Sequence, residues 1–313
     1  MRRSQSNEGK RPPGPRSAGT LVSLSYACPI ATPVGVDVSI RASDWGLSGW
    51  RKAVALGLRS WHLLREARKY ERVVVVTAGA ELFPLALLRK TDVVAVDWLI
   101  PSWRILDGLR LLRRMSFVVI RRADVSTLRR RFAVAAAQCK FVHFPAPEAV
   151  EPSDDGDYVY SAGWAHRDWP TLLAALGHAG VPAVIAGDVS HPAPPNVHLV
   201  PPMSPDEGRR YMRGARCVVL AMLDTELPSG PLLLLDAMAH GKPVIATNVG
   251  GTRDYVDDEN EALLVAPSDS QQLADAIVRV YKDVVLRHRL GVQARDRART
   301  YTAELFWSEV LES

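Results

Sequence analysis

The chain has 313 residues, 47% hydrophobic, 23% charged and 7% aromatic. These proportions exclude a collagen-like, disulfide-stapled or largely disordered protein, and the length suits two domains of roughly 150 residues each. Charge is unevenly spread: residues 151–313 carry 14 Lys+Arg against 23 Asp+Glu, leaving 25 against 11 in residues 1–150, a net of +14. Such asymmetry suggests that the halves face different partners, the first an anionic one.

Residues 1–22 are polar and basic, with Arg2, Arg3, Lys10, Arg11 and Arg16 among Gly, Pro and Ser. They lack the apolar stretch of a signal peptide and are expected to form a disordered tail. Residues 21–45 give no firm assignment. Residues 49–70 predict a helix, with Val54, Leu58, Trp61 and Leu64 near one face and Arg51, Arg59, Arg65 and Arg68 around them. Strand 73–77, helix 80–88, strand 93–97, basic helix 104–115, strand 117–120, helix 126–134 and strand 141–144 follow. The Pro- and acid-rich stretch 145–157 is a linker, dividing a first domain (23–147) from a second (158–313) across residues 148–157.

The second half alternates more crisply. Strand 158–162 leads through Gly163 to a helix from Asp168 with Pro170 in its first turn, where a missing N–H costs nothing. Strand 183–186, residues 197–200, helix 205–214 and strand 217–221 come next. The polar loop 224–228 opens onto helix 229–240, which Gly241 closes. Strand 244–247, apolar residues 263–265 and a helix from Ser268 to Tyr281, with Gln271 in a capping-box position, complete the pattern before a helical Arg-rich end. Strands alternating with helices imply an α/β fold with parallel sheets covered on both faces.

Three cysteines (Cys28, Cys139, Cys217) are too few and too scattered for a disulfide framework or a CxxC metal site, so a reducing cytoplasm is expected. No run of about 18 uncharged apolar residues occurs. Walker A, GxGxxG, GxSxG and HExxH sequences are all absent, which argues against ATP hydrolysis, dinucleotide redox chemistry and the corresponding hydrolases. No nucleic-acid recognition motif accompanies the basic first half.

In open parallel sheets, ligands lie beyond the carboxyl ends of the strands. That edge collects Gly163, Arg167, Gly187, the loop 224–230, and Asn248 with Gly250 and Gly251. The Ser229-Gly230-Pro231 helix start offers amides and the positive dipole end to phosphate oxygens, and Arg167 on a neighbouring loop supplies a planar multi-donor cation. Asp236, inside the apolar run LLLLDAMA, must reach solvent or accept hydrogen bonds; a ribose diol would be a suitable partner. His166 could touch a ligand, His240 is expected to complement a helix C-terminus, and His143 could face the interdomain cleft or be structural.

The run PSGPLLLLDAMAHGKPVIATNVGGTR (228–253), followed by DYV and ALLVAPSDSQQLADAI, resembles the nucleotide-sugar-binding domain of retaining GT-B glycosyltransferases with an E-x7-E motif. The resemblance covers about 158–299; residues 73–147 are more loosely similar to the first domain of such enzymes. It implies two Rossmann-like parallel-sheet domains facing a cleft, with a sugar moved from a nucleotide-sugar donor to an unknown acceptor hydroxyl with retention. Gly163 and Arg167 match the strand-end glycine and the diphosphate-holding cation, with Trp164 where a second basic residue is common. Asp236 matches the ribose-binding second acid. The first acid's place holds Pro228, and Glu226 is the nearest acid, an expected catalytic residue beside Arg167. Ser229, Gly230 and Pro231 would line the donor site. The resemblance implies neither a metal nor a bound cofactor, and an acceptor that is lipid-linked or anionic. The basic stretches 49–70 and 104–115, with Trp and Leu beside clustered Arg, suit either a peripheral place at an anionic membrane surface or packing of their apolar faces on the parallel sheet. A catalytically silent nucleotide- or partner-binding protein and a sugar epimerase are the alternative readings.

Overall fold

A computed structural model describes residues 17–25, 30–41, 49–77, 79–99, 110–148, 156–163, 165–225 and 231–313. Two six-stranded, all-parallel sheets form its frame. The first comprises β1 (Ser17–Ser25), β2 (Asp37–Arg41), β3 (Tyr70–Val76), β4 (Asp92–Val96), β5 (Ser116–Val119) and β6 (Cys139–Phe141), in the order β2-β1-β3-β4-β5-β6. The second comprises β7 (Val159–Ala162), β8 (Ala183–Ala186), β9 (Val197–Val200), β10 (Cys217–Leu220), β11 (Val244–Thr247) and β12 (Ala262–Val265), ordered β12-β11-β10-β7-β8-β9.

The central strands are short apolar runs buried on both faces, as covered parallel sheets require: Val73–Val76, Val93–Val96 and β10 are at most 3% exposed. In the first domain, α1 (Gly49–Ala67), the single-turn α2 (Leu82–Leu85) and α3 (Ala123–Phe132) cover or flank the sheet. One face of this sheet packs Leu63 and Ala67 of α1, Leu82 and Leu85 of α2, and Trp98 and Phe132. The Trp98 indole N–H donates to the Gly79 carbonyl, so the ring is buried without orphaning its donor.

The second domain carries α4 (Trp169–Ala179), α5 (Pro205–Arg213), α6 (Leu232–Ala239), the single-turn α7 (Gly250–Arg253), α8 (Ser270–Lys282) and α9 (Val284–Ala298). Asp168 caps α4 by accepting from Thr171 N, and Ser204 with Glu207 forms a capping box on α5. The cap of α8 is Asp269, accepting from Gln272 N, one residue later than the expected Ser268–Gln271 pair.

Several sequence expectations shift. The first sheet begins at Ser17, inside the stretch expected to be a tail: β1 pairs with β2 on one side and β3 on the other. Helix 80–88 contracts to one turn around Pro84, and the basic stretch 104–115 is a short 3₁₀ turn at Arg110–Arg114 where it is described. The last helix, α10 (Ala303–Leu311), returns to the first domain. Trp307 donates to the Ala31 carbonyl, Lys140 pairs with Glu309 at 2.7 Å, and Phe306 packs edge-on to Phe144. The chain's end therefore ties the two sheets together.

A second tie lies just after α7. The Tyr255 hydroxyl donates to the Ile120 carbonyl and accepts from Phe144 N, closing both backbone groups at the carboxyl ends of β5 and β6. Asp254 accepts from Arg122 N at 2.8 Å, ahead of α3. His143 stacks on Tyr301 and lies 2.9 Å from the Asp254 carbonyl through Nε2, so it is an interdomain packing residue.

Candidate active site in the interdomain cleft

The order of the second sheet sets the place. From β7 the chain winds outward through β8 and β9, then crosses back to add β10, β11 and β12 on the other side. The switch point falls between β7 and β10, and in open α/β sheets the crevice beyond the strand ends at such a point receives ligands. Two segments meet across it: Arg167 after β7 forms an antiparallel bridge with Met222 after β10.

Arg167 is folded back over its own strand end. Its Nε donates to the Ala162 carbonyl at 2.8 Å, and Nη1 lies against Met222 Sδ. Gly163 makes this possible: its φ is +117°, and a Cβ there would fall 2.6 Å from Arg167 Nη2. Among the described residues Arg167 has no carboxylate partner, and burial lowers its pKa to about 10. It remains a cation at neutral pH, partly desolvated. His166, in the left-handed region at φ 54°, is neighboured by Arg121 of the first domain. Burial, then Arg121 and Arg167, push its pKa down, so it is neutral at pH 7.

The first domain contributes acids and arginines that no motif groups. Arg121, buried after β5, donates through Nε to Asp124 Oδ2 at 3.2 Å. Asp97 follows β4 in the left-handed region at φ 47°, and burial raises its carboxyl to about 6, opposed by Arg121 and reinforced by Asp124. A cavity of about 360 Å³ opens between the domains. Its walls are Arg121, Asp124 and Arg130 from the first domain and Met222, Pro231 and Arg253 from the second, among others. Close approach at its edge leaves Gly250 with an added Cβ 3.2 Å from Ala123 Cβ.

Of the residues expected from sequence, Gly163 and Arg167 are brought into contact, and Pro231 lies on the cavity wall with Arg167's neighbour Met222. Glu226, Pro228, Ser229, Gly230 and Trp164 lie outside the described residues. Helix α6 is described from Leu232, with Pro231 at its N-cap. Asp236 sits on another flank of this helix, turned to α5: its nearest cation is Arg209 at 3.9 Å, and it neighbours Tyr160 of β7. Burial raises its carboxyl pKa against Arg209 and His240. His240 Nδ1 lies 2.7 Å from the Asp236 carbonyl at the end of α6, as expected for a helix-terminal histidine. Asp97, Arg121, Asp124, Arg130 and Arg253 were not expected as site residues: Asp97 and Arg121 lie just beyond strand ends, and the other three lie on α3 and α7.

Residues 158–283 match the family model described as glycosyl transferases group 1. They form a glycosyl transferases group 1 domain. Among characterised proteins, similarity is found to D-inositol 3-phosphate glycosyltransferase of Nocardioides sp., 36% identical over 110 residues, covering 35% of this chain and 23% of that protein. N-acetyl-alpha-D-glucosaminyl L-malate synthase of Bacillus anthracis is 35% identical over 94 residues, covering 30% and 24%. The matches thus span under a quarter of those relatives' length. The Anabaena protein HepE, solved in complex with UDP-glucose, superposes with a TM-score of 0.71 at 15% identity over 94% of this chain and 98% of that one. The paired six-stranded sheets are therefore the GT-B glycosyltransferase fold, with the group 1 domain as its second half.

Proposed function

We propose that this chain transfers a sugar from a nucleotide-sugar donor to an acceptor hydroxyl, with retention at the anomeric carbon. The observation that carries the reading is Arg167: a half-buried guanidinium without a carboxylate partner among the described residues, held at the switch point of a glycosyl transferases group 1 domain. A desolvated cation in that position is prepared for an anion, and a diphosphate is the anion a nucleotide sugar brings. The HepE structure, a complex with UDP-glucose, supports a donor of this class.

In this reading Arg167, with the amides of Ser229, Gly230 and Leu232, stabilises the charge that grows on the leaving diphosphate. Asp236, half-buried and with only a long ion pair to Arg209, takes the ribose diol. The acceptor enters from the first domain. Arg130 and Arg253, both exposed on the cavity wall, favour one that carries an anionic group. Two relatives are named for anions of this kind, inositol 3-phosphate and L-malate.

Incubation of the purified protein with UDP-, GDP-, ADP- and TDP-sugars tests the proposal by nucleotide diphosphate release. Slow hydrolysis of one donor, accelerated by an anionic hydroxyl acceptor, is the expected result. Pro228 at the place of the first motif acid favours a second reading, a silent nucleotide-binding protein, which predicts donor binding with no release. Conversion of the sugar to an isomer without acceptor would identify an epimerase instead.

A further inference from the structure

Arg121 is held from the opposite domain on both sides of its own backbone. The Ile120 carbonyl, one residue ahead, accepts from the Tyr255 hydroxyl at 2.9 Å. The Arg122 N–H, one residue on, donates to Asp254 Oδ2 at 2.8 Å, and Asp254 Oδ1 lies 3.6 Å from Arg122 Nε. Two consecutive second-domain residues therefore grip the turn that presents Arg121. The same Tyr255 hydroxyl accepts from Phe144 N at 3.0 Å, so the grip reaches beyond the ends of both β5 and β6.

The gripping residues are themselves fixed. Tyr255 is fully buried, edge-on to His143 at 5.4 Å and to Tyr301 at 5.7 Å, and its carbonyl accepts from the Tyr301 hydroxyl. Its own hydroxyl both donates and accepts, which sets the direction of the O–H bond. The Asp254 carbonyl accepts from His143 Nε2 of the first domain at 2.9 Å. Helix α7, which leads into the pair, packs Gly250 against Ala123 of the same turn. Neither Asp254 nor Tyr255 lines the cavity, whereas Arg121 and Asp124 do, across from the Met222 that bridges to Arg167.

We propose that Asp254 and Tyr255 act as one clamp that positions Arg121 and Asp124 in the cleft, fixing them opposite Arg167 independently of donor. They are positioning residues, acting through the turn they hold. Packing alone could join the domains, and α10 already does so; here the polar bonds fall on the peptide groups that flank one cavity residue. The consequence is kinetic, because a displacement of about 1 Å in a reacting site can cost about 10²-fold in rate. Donor affinity is set on the second domain and does not depend on the clamp.

Amide hydrogen exchange of the donor-free full chain tests the clamp without turnover. The Arg122 and Phe144 N–H groups have second-domain side chains as partners, so their protection reports the grip. Both should exchange slowly in the wild type. Tyr255→Phe keeps the ring and removes the hydroxyl; it should speed Phe144 and, because the grip acts as a unit, Arg122 as well, each about tenfold. Asp254→Ala should also speed both, whereas Asp254→Asn, which retains an acceptor oxygen, should leave both slow. In transfer assays Tyr255→Phe should lower kcat about tenfold or more and keep the donor KM within about twofold of wild type. Faster exchange of Phe144 alone, rapid exchange of both amides in the wild type, or a raised donor KM with kcat unchanged would overturn the proposal. The kinetic arm rests on the sugar-transfer reading: coupled exchange with no turnover from any donor would uphold the clamp and count against that reading instead.

Discussion

Replacing Arg167 by Ala is expected to cut turnover per folded molecule by about 10²–10³ while moving the melting temperature by only a few degrees. The two halves of this expectation have separate causes. In the protein the guanidinium faces a carbonyl and a thioether, with burial lowering its pKa to about 10. Its charge therefore gains little from the fold and costs desolvation, so removing it is close to neutral for stability. During reaction the same charge would meet a leaving diphosphate in a water-poor cleft, where a fixed donor is worth several kcal/mol. Lysine at this position should recover part of the loss, since the charge returns without the planar fork. A melting temperature that falls steeply while turnover per folded molecule holds would assign Arg167 to structure alone.

Asp97→Asn is expected to stabilise the protein above pH 6 and to flatten part of its pH dependence. The carboxyl of Asp97 is raised to about 6 by burial, against about 3.9 in an unfolded chain. Between these values the folded state holds a proton that the unfolded state has lost. Stability must therefore fall as pH rises from about 4 to about 6, and stay flat above. The gap of two pH units corresponds to about 2–3 kcal/mol, at 1.36 kcal/mol per unit. Asparagine removes the charge, tolerates the left-handed backbone at φ 47°, and leaves Arg121 its bond to Asp124. Denaturant melts at pH 4 and pH 8 should show the gain only at pH 8. Destabilisation at pH 8, or an unchanged pH dependence, would show that Asp97 is not held against its charge.

The strands legible in the sequence are those whose environment is uniform. Val73–Val76, Val93–Val96 and the runs of β10, β11 and β12 are buried on both faces, so hydrophobicity alone marks them. β1 (SAGTLVSLS) mixes Ser and Thr among its apolar residues and lacks that uniformity, and β2 is an edge strand whose Ile40 is 65% exposed. No short-range pattern separates such strands from loop. The contact of Gly163 with Arg167 was legible because the two lie within five positions of each other after one strand end. The first-domain charges of the cleft were not: Arg121, with Asp97 and Asp124 beside it, nears His166 only when two sheets meet, a contact set by α10 and by the Tyr255 hydroxyl. Tyr255 itself carries no motif, since its role is to close backbone groups 111 and 135 residues away.

The most direct test of the account is a thermal-shift comparison of wild-type protein and Arg167→Ala against UDP-, GDP-, ADP- and TDP-sugars. A ligand that binds only the folded chain adds about 2.7 kcal/mol at a hundred times its Kd. One donor should raise the wild-type melting temperature by several degrees and leave Arg167→Ala almost unmoved. An equal rise in both proteins, or no rise with any donor, would contradict it.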